Sequence, residues 1–165
     1  MIGQSFFAEK YKFVNYVELS VEQHQQIWKV RVSKDVRQFM FNQNIFPFSD
    51  HLNFVERLKT DTTKVYFAVY DIDNQFIGSI SLHPINYAQR VADWGIYINP
   101  AHQGKGLGTT LSKIFFDHIF ALNIIEKISA TVLSFNLASL KFHIHIGFQH
   151  QYEKDGNIYL IKEKQ

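Results

Sequence analysis

A chain of 165 residues, 46% hydrophobic and 16% aromatic, holds enough apolar material for one packed core and argues against disorder. Its Lys and Arg residues are scattered and the formal charge is only +2, so no basic run marks a nucleic-acid footprint. The absence of cysteine excludes disulfides, thiolate metal sites and a cysteine nucleophile; Met1 to Lys10 hold no apolar stretch long enough for a signal peptide or membrane span, so a soluble cytoplasmic protein is expected.

Residues 11–19 are β-branched and aromatic in rough alternation, which predicts a strand. Ser20 with Gln23 forms a capping-box pattern, so a helix follows over about 21–32. The aromatic, irregular stretch 33–49 contains Pro47 and reads as a loop with one helical turn. Ser49 or Asp50 then offers a cap for a second helix, on which Leu52, Val55 and Leu58 recur at helical spacing. From residue 64 the texture changes. Val65 to Tyr70, Phe76 to Leu82 and Val91 to Ile98 predict a three-stranded meander whose first turn is Asp71 to Asn74. After Gly106 the period is helical, because Leu107, Leu111, Ile114, Phe115, His118 and Leu122 fall on one face. A strand over Lys127 to Leu133, a helix from about Leu137 to His145, and a hairpin turning at Lys154-Asp155-Gly156-Asn157 complete the order. No repeat or linker interrupts it, so residues 1–165 read as one mixed α/β domain.

Gln103-Gly104-Lys105-Gly106-Leu107-Gly108 lies between a predicted strand and a predicted helix. Its glycines let successive backbone N–H groups converge at a helix N-terminus, which carries about half a positive charge and attracts phosphate; Lys105 adds a point charge. A plain glycine-rich connection fits the same residues. A dinucleotide fingerprint fits less well, although Glu126 lies roughly where a ribose-binding acid would: Thr109 occupies the third glycine position, and the turn follows a meander rather than opening a βαβ unit. A Walker A loop fails because no Gly-Lys-Ser/Thr follows at the required spacing.

Tyr97-Ile98-Asn99-Pro100-Ala101-His102 followed by Gln103-x-x-Gly106-x-Gly108 resembles the coenzyme A signature of the GNAT N-acetyltransferase superfamily. Asn136, Ser139 and Gly147-Phe148 also fall where that superfamily places Asn, a small residue and Gly-Phe. The resemblance covers roughly residues 11–163. It implies an α/β (α+β) fold with a central mixed, mostly antiparallel sheet flanked by about four helices, and acetyl-CoA as cosubstrate. The pyrophosphate would bind the N–H groups of Gln103, Gly104, Lys105, Gly106, Leu107 and Gly108. The strand carrying Ile96 and Ile98 would pair with the pantetheine arm, and Asn136 and Ser139 would lie beside the cofactor.

Many family members place a tyrosine seven residues after that Asn, as general acid to the departing thiolate; here the position is His143. A histidinium there could donate the proton, a neutral imidazole could only hydrogen-bond the sulfur, and a partly buried structural histidine is the plain alternative. His143 and His145 do not form a metal pair, since two residues on a helix separate side chains by about 200°. Base candidates are Asp93, Tyr97 and His83; Asp93, Gly95 and Tyr97 share one strand face by alternation. A water chain is the alternative.

Arg31, Met40, His51 and Phe54, with Tyr66-Phe67 and Gly95-Ile96-Tyr97, look like the N-acetyltransferases of the pseudaminic acid pathway, which acetylate the 4-amino group of a UDP-linked 4-amino-4,6-dideoxy sugar. The resemblance implies that Arg31 and His51 meet a diphosphate or sugar hydroxyls, while Met40 and aromatic neighbours cover the deoxy methyl and uracil. The rival acceptor is a protein N-terminal amine, for which an acidic groove is expected; Asp50 and Glu56 stand apart instead. A non-enzymatic rival is an acyl-CoA-binding module. The aromatic surplus fits a homodimer interface and core packing equally well, and nothing points to a nucleic-acid or membrane partner or a metal.

Overall fold

The computed structural model describes every residue from Met1 to Gln165. Its strands are β1 (Phe6–Ala8), β2 (Tyr11–Asn15), β3 (Val65–Tyr70), β4 (Phe76–Asn86), β5 (Val91–Ile98), β6 (Lys127–Leu133), β7 (Gln149–Lys154) and β8 (Asn157–Glu163). The helices are α1 (Val21–Arg31), α2 (Lys34–Arg37), α3 (Phe48–Leu58), α4 (Leu107–Ala121) and α5 (Leu137–His145). One sheet holds all the strands in the order β1-β2-β3-β4-β5-β6-β8-β7. Neighbours run antiparallel except β5 and β6, which are parallel and joined through α4.

Side-chain alternation sends the two faces of this sheet into different cores. Phe13, Phe67, Val69, Leu82, Trp94 and Ile128 join Leu111, Phe115 and Ile119 of α4 in the larger cluster. Burying each such side chain contributes about 1.5–3 kcal/mol. Ala68, Tyr70 and Tyr97 pack on the opposite face against Tyr16, Ile27 of α1, and Val55 and Leu58 of α3. On β5 the register therefore places Trp94, Ile96 and Ile98 toward α4, and Tyr97 toward α1 and α3.

Four boundaries depart from the sequence expectation. The first strand stops at Asn15 rather than continuing to residue 19, because the Asn15 side chain accepts from Val17 N and caps a one-turn 3-10 helix at Tyr16–Glu18. Helix α3 starts at Phe48, with Pro47 at the cap position and no capping side chain, so neither Ser49 nor Asp50 caps it. β4 runs past Leu82 to Asn86, because a bulge between Leu82 and Ile85 absorbs His83 and Pro84. β1, where no strand is predicted, forms because Phe6 stacks on Phe13 of β2 with ring centroids 4.4 Å apart. The Ser20–Gln23 capping box on α1 is present with both bonds.

Candidate active site

β5 and β6 stay together for only three registered pairs, Val91 with Lys127, Ala92 with Ile128 and Asp93 with Ser129. Beyond that point β5 continues with β4, while β6 continues with β8. Residues 94–98 therefore keep one partner strand and present their other edge to a cleft, where alternate backbone N–H and C=O groups lack a ladder partner. Asp93 sits at the apex of this V, its Oδ1 accepting from Ser129 Oγ at 2.9 Å.

At the mouth of the V the chain leaves β5 through Asn99, whose Oδ1 accepts from Ala101 N and whose Nδ2 donates to Phe76 O at 2.9 Å. Gly104 and Gly106 then adopt φ of 77° and 70°, the left-handed conformation that glycine takes without a Cβ penalty. As a result, none of the backbone N–H groups from Gly104 to Thr109 has an acceptor within the protein. A helix start normally leaves four such donors; this one adds those of the turn. The concavity they border, about 190 Å³, is lined by Ile98, Gln103, Gly104, Gly106, Leu107 and Gly108 together with Phe142. Gly108 has a different cause: a Cβ there would stand 3.3 Å from the Phe142 ring of α5. Lys105 is exposed and lines neither this concavity nor the larger one beside it.

The larger cavity, about 860 Å³, shares Ile98, Gln103, Gly108 and Phe142 with the smaller one and opens between the sheet, α1, α3 and α5. It brings together Arg31, Met40, His51, Phe54, His83, Asp93, Ile96, Tyr97, Asn136, Ser139 and His143. Arg31 Nη2 donates to Asn42 O at 3.2 Å, its guanidinium lies 5.7 Å from the Phe46 ring centroid, and its Nη1 is buried without a partner. No carboxylate lies within ion-pair distance of it. Tyr97 OH is likewise buried and unpartnered. Asn136 uses its Oδ1 to cap α5 through Ser139 N at 3.1 Å, which leaves Nδ2 free. Tyr16 and Ser79, hydrogen-bonded at 2.6 Å, also line the cavity; the alternation of 11–19 concealed Tyr16, which is buried only because the strand ends before it.

His143 is held at both ring nitrogens. Nδ1 faces the Ser139 carbonyl at 2.8 Å and must donate to it, so Nε2 is the acceptor for Trp94 Nε1–H at 3.2 Å. Phe148 closes the pocket, edge-on to His143 and stacked on Trp94.

The acetyltransferase (GNAT) domain family matches residues 17–149. The chain belongs to the GNAT acetyltransferase family. It is 30% identical to Acetyltransferase PseH of Campylobacter jejuni over 154 residues, 93% of this chain and 94% of that one. The crystal structure of Campylobacter jejuni PseH with acetyl coenzyme A superposes with a TM-score of 0.76 at 26% identity, covering 94% of this chain and 99% of that one. The spermidine N-acetyltransferase of Vibrio cholerae with CoA and spermine shares the fold, with a TM-score of 0.81 at 21% identity over 93% and 95% of the two chains. This chain is an acetyl-CoA-dependent N-acetyltransferase with a mixed, mostly antiparallel sheet. No helix is long and apolar enough to cross a membrane.

Electrostatics divides the polar groups of this acetyltransferase by what each can do with a proton. Burial pushes the Asp93 carboxyl up to about 6, against the smaller opposing effect of the Ser129 hydroxyl. Burial pushes the Tyr97 phenol up to about 12, so it keeps its proton at neutral pH. His143 is drawn down by burial, opposed by its backbone bond to Ser139, and stays neutral. Burial also draws Arg31 below its ordinary value, while the nearby Tyr97, Tyr16 and Tyr66 oppose that shift.

Proposed function

We propose that this acetyltransferase transfers the acetyl group of acetyl-CoA to the 4-amino group of a UDP-linked 4-amino-4,6-dideoxy sugar. The observation that carries the acceptor is Arg31, a cation with one buried unpartnered nitrogen and no carboxylate within ion-pair distance, facing a cavity with Met40, Phe46 and Phe54. A diphosphate supplies the missing acceptors in the geometry a guanidinium prefers, and the apolar neighbours receive the deoxy methyl and the uracil. Similarity to Acetyltransferase PseH along nearly the whole chain supports the same acceptor class. A polyamine would instead bring like charge against Arg31.

On the donor side, the free N–H groups of Gly104 to Thr109 take the pyrophosphate, with Gln103 beside them and Lys105 acting only as an exposed charge. The pantetheine arm fills the missing rung along residues 94–98, flanked by Ile96 and Ile98, and the free Asn136 Nδ2 is a donor toward it. The neutral amine attacks the thioester carbonyl; the C–N bond forms, the C–S bond breaks, and the amine proton passes to the Asp93 carboxylate directly or through water. A carboxyl raised to about 6 is ionised at neutral pH yet more basic than usual. Tyr97, which retains its proton, donates a hydrogen bond rather than acting as base. His143 has no proton to spare, and a thiol of pKa about 8.5 gives a thiolate that departs without an obligatory acid. His143 thus orients Trp94 at the V, and Ser139 serves through its carbonyl.

The test is free-thiol release from acetyl-CoA with UDP-4-amino sugars, peptides bearing free N-termini, and polyamines. Release only with the amino sugar is expected. Release with peptide or polyamine and none with the sugar overturns the acceptor; acetyl-CoA binding without release for any amine points to an acyl-CoA-binding module.

A further inference from the structure

His24 of α1 lies outside the cavity lining yet contacts a residue that forms it. Its Nδ1 is 3.0 Å from His51 Nε2, and its Nε2 is 2.8 Å from the Tyr16 carbonyl. A carbonyl oxygen only accepts, so His24 carries its proton on Nε2. Its Nδ1 is then a lone pair, and the only short contact that lone pair can make is with an N–H on His51 Nε2. Burial keeps both rings singly protonated, and a His51 protonated on Nδ1 instead of Nε2 would set two lone pairs 3.0 Å apart. The chain of donors therefore runs from His51 to His24 to Tyr16. It leaves His51 Nδ1 as a bare acceptor with no protein partner, on a ring that lines the acceptor cavity and is 5% exposed.

We infer that His24 is a positioning residue for the acceptor: it locks His51 in the Nε2–H form, so that His51 meets the acceptor only as a hydrogen-bond acceptor, for a sugar hydroxyl or the amine N–H, and not for a phosphate oxygen. This deepens the nucleotide-sugar reading and rests on it, by assigning the diphosphate to Arg31 and a donor group of the sugar to His51. Burial keeps both rings neutral, drawing His24 down and His51 to about 4, in His51 with further help from His24. Tyr16, T-shaped against His24 at 5.7 Å and carrying the terminal carbonyl, anchors the relay to the 3-10 turn that replaces the end of β2.

Nitrogen-15 NMR of the ligand-free wild type reads the tautomers without any substrate. The expected result is a protonated Nε2 and a bare Nδ1 on His51; a protonated Nδ1 overturns the inference whatever the acceptor proves to be. In His24→Phe the His51 tautomers are expected to mix, and KM for the UDP-4-amino sugar to rise about tenfold with kcat and the acetyl-CoA KM within about twofold. His24→Gln, whose amide can both accept and donate, restores both readouts. An unchanged tautomer and unchanged acceptor KM in His24→Phe overturn the positioning role. If the amino sugar releases no thiol with wild type, the acceptor reading fails separately, and the tautomer result alone decides the relay. If His24→Phe does not fold, the wild-type spectrum and His24→Gln decide it.

Discussion

The donor half of the cleft is built from backbone and the acceptor half from side chains. At the glycine turn and the V of β5 and β6, the proposed recognition groups are N–H and C=O groups exposed because two glycines take positive φ and two strands part after Asp93 and Ser129. In the larger cavity, the recognition proposed above falls to Arg31, His51, Tyr97 and their neighbours, gathered from α1, α3 and β5. Backbone donors suit a cofactor whose pyrophosphate never changes. Side chains can be exchanged one at a time, so the second half is where relatives of one fold, such as PseH and spermidine acetyltransferase, can diverge in acceptor.

Asp93 stands at the border, and its substitution is the largest expected break. Asp93→Asn should lower kcat about 10²- to 10⁴-fold, the ordinary contribution of a positioned base. In the wild type the kcat profile should rise as pH climbs through about 6, where the raised carboxyl ionises; in the variant that limb should vanish, leaving the limb of the acceptor amine. Stability supplies an independent check. A raised carboxyl stabilises the fold fully below the ordinary carboxyl range, and that contribution is lost as pH rises through about 6, so Asp93→Asn should flatten thermal stability across that window. Arg31→Met comes next and tests the acceptor half alone. Losing a charge-assisted contact should raise acceptor KM about 10- to 100-fold while the acetyl-CoA KM holds. Equal loss on both substrates would mean the halves are not separable.

The same division explains what could be read from the chain. The glycine turn, the Ser20–Gln23 capping box and the Lys154 to Asn157 hairpin are local: a few consecutive residues fix φ, cap or turn, and the structure keeps each in place. The acceptor half depends on non-local events. Tyr16 enters the cavity because Asn15 ends a strand early; His24 matters only because α3 brings His51 within 3.0 Å; and α3 itself begins at Phe48, after Pro47 and without the polar cap that marks most helix starts. No spacing of residues 16, 24 and 51 announces their meeting. His143 was visible by position, but its proton was not, since that depends on Trp94 approaching across the V.

Gly106→Val probes the donor half with a smaller effect. Space is open around the missing Cβ, so the cost is conformational: forcing a β-branched residue to φ 70° costs about 1–2 kcal/mol. The acetyl-CoA KM should rise about tenfold with acceptor KM unchanged, measured by thiol release at saturating partner.

The smallest effect is expected at His143, where the family pattern alone would place a large one. With Nδ1–H committed to the Ser139 carbonyl and Nε2 accepting from Trp94, a proton for the leaving thiolate would have to come from a second protonation, which burial opposes and which would put two N–H groups face to face. His143→Phe keeps the edge-on aromatic contacts with Trp94 and Phe148 and leaves one indole N–H unpaired. That should lower kcat by less than about tenfold through slackened positioning of Trp94, since an unmet buried donor costs about 1–3 kcal/mol and only part of it bears on the transition state. The alkaline limb of kcat should stay where it is. A fall beyond a hundredfold that is relieved by an acyl donor with a more acidic thiol would show instead that His143 does protonate the leaving group, and that its ring turns away from Trp94 once acetyl-CoA is bound.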